Sequence, residues 1–380
     1  MANILLYIYC FSLPYQAITI GGIAIVKITG LLLSAWLFLE LGFRKFNKTD
    51  LYTILLICFA PIFLIIIETI RTSVSDSINF YSTFISNILL FVLMIFSSHA
   101  LNFKRGVMVL VASSFIVPLV MISPFSDVGE DGRLSALGLN ANFSAILLSL
   151  SFMYLSIKAR QQKTNLSSVI IYCLALIPLL GVVGTGTRFG LLVCALFICI
   201  FFYKTIASKF GVVMASMATA LVMSAGIFFA IGSDLVVIIR LLELSETFTT
   251  EGRFVLWGLA IDSVGGNYIT GIGPNAFSDF IVPIMGSYMS PHNVFFEFYI
   301  YGGLVGTILT FPIVNIAISG LRNNSYNSKD TDLVYFTSII LITIIMLHHI
   351  VFNKLFWFLL AFVYHSCFEF KLSYENTNSS

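Results

Sequence analysis

Charge is what this 380-residue chain has least of: charged residues make up 10% of it, hydrophobic ones 58%, and mean hydropathy is +0.99. Soluble globular domains carry about a quarter charged residues, so the composition excludes an ordinary soluble fold. A formal net charge of +2 leaves no basic surface for nucleic acid. The sequence also lacks a Walker motif, a dinucleotide glycine fingerprint, HExxH and GxSxG. With them go the usual residue sets for ATP-driven transport, dinucleotide redox chemistry and familiar hydrolysis. Cys10, Cys58, Cys173, Cys194, Cys199 and Cys367 all fall within apolar runs, without metal-ligand spacing, and read as packing residues. No cofactor or metal is expected. No basic stretch precedes the first apolar run, so no cleavable signal peptide is expected. Nor does any repeat relate the two halves, which weighs against a secondary transporter.

What the chain has instead is one apolar run after another. Runs long enough to cross about 30 Å of hydrocarbon recur. They lie near residues 3–20, 22–42, 52–70, 80–99, 106–122, 142–157, 167–184, 189–203, 210–231, 294–318, 333–350 and 355–370. About twelve spans make this an all-α polytopic membrane protein, a single integral membrane domain over residues 1–380. Pro14 and Gln16 interrupt the first run and Lys27 lies within the second. The one departure is a long loop, residues 232–293. Within it Asp234 to Leu244 and Gly252 to Val264 have apolar residues at helical spacing, and Gly265-Gly266-Asn267 marks a break.

Lys and Arg in alternate connections set the orientation. One set holds Arg44, Lys45, Lys48, Lys104, Arg105, Lys158, Arg160, Lys163, Lys204, Lys209, Arg322, Lys329 and Lys371; the other holds Arg71, Arg133, Arg188, Arg240, Arg253 and Lys354. The richer set belongs in the cytoplasm, with both termini, which puts the 232–293 loop outside. The external cations are nearly all Arg, whose planar, always-charged fork suits bidentate contact with phosphate. Arg188 closes Gly184-Thr185-Gly186-Thr187-Arg188, where glycine lets backbone amides approach an anion. Arg133 lies in Gly132-Arg133-Leu134-Ser135, with Asn140 and Asn142 shortly after. Taken singly, each Arg also fits a snorkelling interface anchor. Together with His292, which sits between Pro291 and Asn293 where the loop re-enters the bilayer, they form a candidate site that binds an anion and moves a proton. Arg71 stands three residues from Glu68, a spacing that also suits a local ion pair. His348-His349 ends a span at the same face, either as an interfacial pair or as part of the same cavity.

Gly186-Thr187-Arg188, Arg253 with Trp257 four residues on, Gly271-Ile272-Gly273, and Pro291-His292-Asn293 followed by Glu297 and Gly302-Gly303-Leu304-Val305-Gly306 resemble the signature of the O-antigen ligase/polymerase superfamily. The resemblance covers residues 130–310 by motif and the whole chain by topology. It implies a bacterial inner-membrane glycosyltransferase acting on an undecaprenyl-diphosphate-linked oligosaccharide, with the lipid bilayer and a chain-length regulator protein as partners. By that match Arg188 and Arg253 inherit the pyrophosphate and His292 inherits transfer to the acceptor hydroxyl. Arg133 and Arg240 match more loosely as substrate contacts, and Asn293, Trp257 and Arg71 complete the substrate-binding set. From Ser233 to Asn293, Arg240 and Arg253 stand against Asp234, Glu243, Glu246, Glu251, Asp262 and Asp279, a balance of −4. Such a loop repels a polyanionic acceptor such as the lipid A core. A polymerase is therefore expected ahead of a ligase, and a flippase that moves the same lipid without bond formation is the alternative from another class.

Overall fold

The computed structural model describes residues 1–40, 48–72, 74–123, 127–128, 134–231, 252–322, 331–348 and 353–378, with backbone alone at 48–50, 74–80, 127, 208–209, 222–231, 252–253 and 368–378. The α-helices in the first part of the chain are α1 Ala2–Ser12, α2 Ile25–Glu40, α3 Lys48–Arg71, α4 Val74–Phe96, α5 Phe103–Ser114, α6 Ile116–Ile122, α7 Ala141–Arg160, α8 Asn165–Gly184 and α9 Arg188–Ile231. Then follow α10 Gly252–Val264, α11 Pro274–Met285, α12 Val294–Ile308, α13 Phe311–Arg322, α14 Thr331–Leu347 and α15 Lys354–Asn378. Two short antiparallel hairpins, Thr19–Ile20 with Ile23–Ala24 and Asp127–Val128 with Leu134–Ser135, are the strands among the described residues.

Leu51–Arg71, Phe103–Ile122, Ala141–Arg160, Asn165–Gly184 and Arg188–Ala207 are long and apolar enough to cross a membrane. The expected run 294–318 is instead a bent pair: α12 and α13 meet at 72°. Pro312, in the first turn of α13, has no N–H to continue the ladder from α12. The other apolar helical stretches, such as Tyr81–Phe96, Thr331–Leu347 and Lys354–Cys367, are shorter. The first expected run stops early, because the 3₁₀ turn Leu13–Tyr15 around Pro14 ends α1 and a hairpin follows. Runs 189–203 and 210–231 lie within α9, broken at Gly211, whose φ of 84° leaves the helical region.

The chain forms two compact units. One comprises residues 10–27 and 105–248, the other 1–9, 28–104 and 249–380. In the first, α7 is buried along most of its length, and its serines serve as close, mutually bonded contacts. Ser151 Oγ meets Ser114 Oγ at 2.5 Å, and Cys194 Sγ donates to Ser149 Oγ at 3.4 Å. Small polar residues let apolar helices approach in this way. Helix α8 exposes Leu166, Val169, Ile170, Leu174, Leu176 and Leu180, the surface that lipid would cover. In the other unit Trp357 of α15 is fully buried against Phe84 and Phe91 of α4, and Phe84 also meets Phe298 of α12 edge-on.

Helix α12 is interrupted at Gly303 (φ 62°, ψ −150°), and the interruption is matched by the segment Tyr268–Gly273. Leu304 and Val305 N–H donate to the Tyr268 and Ile269 carbonyls at 2.8 and 3.3 Å. In return Ile272 and Gly273 N–H donate to the Ile300 carbonyl at 2.7 and 3.1 Å. A broken helix inside a membrane protein needs such replacement partners. The approach leaves no room for side chains. A Cβ on Gly271 would overlap the Ile300 oxygen, and one on Gly303 would overlap the Ile269 carbonyl. The two glycine motifs of the sequence are therefore the two halves of one backbone interlock.

Candidate active site

Two side chains from the end of α3 secure the interlock. Arg71 donates from Nη2 to the Thr270 carbonyl at 3.2 Å, to Thr270 Oγ1 at 2.9 Å and to the Gly271 carbonyl at 2.5 Å. Glu68, 1% exposed, presents its carboxylate to the backbone N–H and side-chain amide of Asn275, in the first turn of α11. A carboxylate there meets the positive end of the helix and its unpaired N–H groups. Gly273 makes room for it, since a Cβ at that position would overlap the Glu68 carboxylate. Glu68 and Arg71 still attract one another. The Arg71 hydrogen bonds, however, go to Thr270 and Gly271 rather than to Glu68, the partner in the local ion pair the spacing suggests.

The interlock leads through α11 to the loop that carries His292. Gly286 ends α11 in the left-handed conformation, its N–H donating to the Val282 carbonyl at 2.9 Å. Tyr288 meets the buried Tyr301 hydroxyl to hydroxyl at 3.3 Å. Burial pushes the Tyr288 phenol above its ordinary value, the Tyr301 hydrogen bond opposes this and the Glu297 charge adds to it. His292 has φ 51°, a left-handed backbone that costs a non-glycine residue about 1–3 kcal/mol. Several bonds hold it there. His292 N–H donates to Ser290 Oγ at 3.2 Å, and Ser290 Oγ donates to Glu297 Oε1 at 2.6 Å. Trp257 Nε1 donates to the Pro291 carbonyl at 2.9 Å, and its ring stacks on Phe296 with centroids 5.3 Å apart. Asn293 caps α12, accepting from Phe295 and Phe296 N–H at 2.9 and 3.3 Å, while its Nδ2 donates to the Met346 carbonyl at 3.1 Å. That last bond draws the end of α14 in, and the half-buried rings of His292 and His348 meet edge to face, centroids 6.3 Å apart.

Of the residues the sequence singled out, His292, Asn293, Trp257 and Arg71 thus belong to one connected structure. Trp257, Asn293 and Arg71 all hold backbone in place. Arg253 occupies the first turn of α10, one turn before Trp257 and on the same helical face; its side chain lies outside the described residues. Ser290 lies outside every motif read from the sequence, Glu68 reads there only as an ion-pair partner of Arg71, Glu297 belongs to a motif without an assigned part, and His348 stays open. The usable signal is an acidic residue at the edge of an apolar run, as at Glu68 and Glu297, which is rare without a partner.

Arg188 lies in the other unit, at the first position of α9. Thr187 Oγ1 accepts from Gly190 N–H at 3.3 Å as a helix cap, and buried Thr185 Oγ1 lies 3.1 Å from Thr187 Oγ1. Gly186 makes the turn with φ 61°. The half-buried Arg188 therefore adds its charge to a helix N-terminus, an arrangement suited to an anion. Leu134 of the second hairpin packs by Gly184 at this turn. Arg133, Arg240, the 234–244 segment and His349 lie outside the described residues.

Residues 173–311 match the family model described as O-antigen ligase. The match runs from α8 to the start of α13. It contains the Arg188 turn, α10, both halves of the glycine interlock, the His292 loop and Glu297, and it leaves Arg71 and Arg133 outside. No curated protein matches the chain.

Proposed function

Because residues 173–311 match the family model described as O-antigen ligase, we propose that this chain is a surface-polysaccharide polymerase of the bacterial inner membrane, in the O-antigen polymerase/ligase superfamily. It moves a growing glycan from undecaprenyl diphosphate to the non-reducing end of another lipid-linked repeat unit. The observation that carries the reading is the construction around His292: a strained, half-buried histidine, braced by Ser290, Trp257 and Asn293, beside a second imidazole. A structure that fixes the backbone of one histidine so closely suits general base catalysis by its imidazole.

In this mechanism the hydroxyl oxygen of the acceptor sugar attacks the anomeric carbon and His292 takes its proton. The bond from that carbon to the phosphate oxygen breaks, undecaprenyl diphosphate leaves with the electron pair, and the configuration inverts. Arg188, at its helix N-terminus, and Arg253 stabilise the departing diphosphate, with Arg133 and Arg240 as further contacts. Arg71, Trp257 and Asn293 serve by holding the loop. The site works on the periplasmic face, with both termini in the cytoplasm.

A ligase that transfers glycan to the lipid A core is the second reading, favoured by the description of the matching family. The −4 balance of the 233–293 stretch favours the polymerase, since a field of that sign repels a phosphate-rich core. Deleting the chain from a strain that makes the long polysaccharide separates the two. A lipid A core bearing a single repeat unit is expected. A bare core, with long undecaprenyl-linked polymer accumulating, would establish the ligase.

A further inference from the structure

Ser290 and Glu297 connect the His292 turn to the interior of the fold. Ser290 is 4% exposed and Glu297 is 0% exposed. A serine hydroxyl has one proton to give. Here it goes to Glu297 Oε1 at 2.6 Å, which turns a lone pair towards the His292 amide at 3.2 Å. The carboxylate stands in the first turn of α12, where the helix end favours negative charge. The amide it secures through Ser290 belongs to one of two non-glycine residues with positive φ among the described residues. Left-handed backbone persists only where its surroundings over-determine it. Tyr288 and the buried Tyr301 both feel the same carboxylate electrostatically.

We propose that Ser290 and Glu297 are positioning residues for the transfer reaction: Glu297 orients the Ser290 hydroxyl, the hydroxyl holds the His292 amide, and the left-handed backbone so fixed aims the imidazole at the acceptor. This rests on His292 being the base. A pair that merely stabilised the protein would change its amount. A positioning pair changes turnover at constant amount and leaves donor binding intact.

The test uses full-length protein purified in detergent, with undecaprenyl-linked single repeat units extracted from the deletion strain as donor and acceptor. Ser290→Ala is expected to lower kcat about ten- to hundred-fold, the worth of a buried hydrogen bond to a charged group, with KM for the lipid-linked unit unchanged. Ser290→Thr restores the hydroxyl and most of the rate. Glu297→Gln keeps an acceptor oxygen and falls between them, and Glu297→Leu matches Ser290→Ala. Wild-type kcat in Ser290→Ala or Glu297→Leu overturns the inference, as does equal impairment of Ser290→Ala and Ser290→Thr. If neither Ser290→Ala nor Glu297→Leu accumulates, the two conservative variants decide, and an inactive Ser290→Thr at normal abundance overturns it. His292→Ala runs alongside. Full activity there contradicts the function itself, whereas an inactive His292→Ala with a fully active Ser290→Ala removes only the brace.

Discussion

The indole of Trp257 donates to the carbonyl of Pro291 at 2.9 Å, one residue before His292, while its ring stacks on Phe296 beyond it. Helix α10 is thereby tied to both sides of the His292 turn. Trp257→Phe keeps a ring for the stack and loses the hydrogen bond. It is expected to reduce polymer about two- to ten-fold at equal membrane abundance, the worth of a neutral hydrogen bond. Trp257→Ala loses both and falls further. Gel quantification of the polysaccharide ladder checks the order, and wild-type output from both variants would detach α10 from the site.

Glycine substitutions separate backbone strain from steric overlap. At Gly286 (φ 75°) an added methyl would have nothing within 4 Å, so Gly286→Ala meets only the strain of a left-handed backbone, about 1–2 kcal/mol. Gly271→Ala adds overlap with the Ile300 oxygen and with Gly303. Gly258→Ala, in open space within α10, is expected to be neutral or stabilising by up to about 1 kcal/mol. Thermal unfolding in detergent should therefore rank Tm as Gly258→Ala, then Gly286→Ala, then Gly271→Ala. A Gly271→Ala protein as stable as wild type would refute the interlock.

The arginines divide by what they bind. Arg71 donates to carbonyl and hydroxyl oxygens, which a lysine ammonium also satisfies, so Arg71→Lys is expected to keep most activity. Arg188→Lys and Arg253→Lys lose the planar fork for a diphosphate and are expected to be severely impaired at normal abundance. Polymer quantification checks all three. Full activity in either of the last two would remove that residue from the phosphate site.

Burial raises the Tyr288 phenol above its ordinary value of 10.0, so it stays protonated throughout the neutral range. Its contribution to stability is complete below that value. It is lost only as pH rises beyond it, where the unfolded chain sheds its proton first. A change in rate between about pH 5 and 8 then does not come from this phenol. A rate profile of Tyr288→Phe over that interval should have the shape of the wild-type profile, and a shifted limb would bring the phenol into the proton chemistry.

Helix α10 has the bounds, Gly252 and Val264, that the apolar spacing predicts, and the chain breaks at Gly265 (φ 54°) where the glycine pair stands. Both features are local, so the sequence carries them. The break at Gly303 is different. Hydropathy runs straight through Gly302-Gly303, and the interruption is stable only because Tyr268–Gly273, some thirty residues earlier, supplies its hydrogen bonds. Pro291-His292-Asn293 pointed to the site, but not to why His292 stays left-handed. Ser290 and Glu297 are seven residues apart, but Ser290 precedes the helix, so helical spacing does not pair them, and they meet because α12 starts where Asn293 caps it.

The most direct measurement is polymer formation by His292→Ala in the deletion strain, with the protein's abundance in the membrane measured in parallel. No polymer at wild-type abundance is the predicted result. Polymer at the wild-type level would contradict it, and so would polymer lost only in step with the protein, which would leave His292 a part of the fold and not of the chemistry.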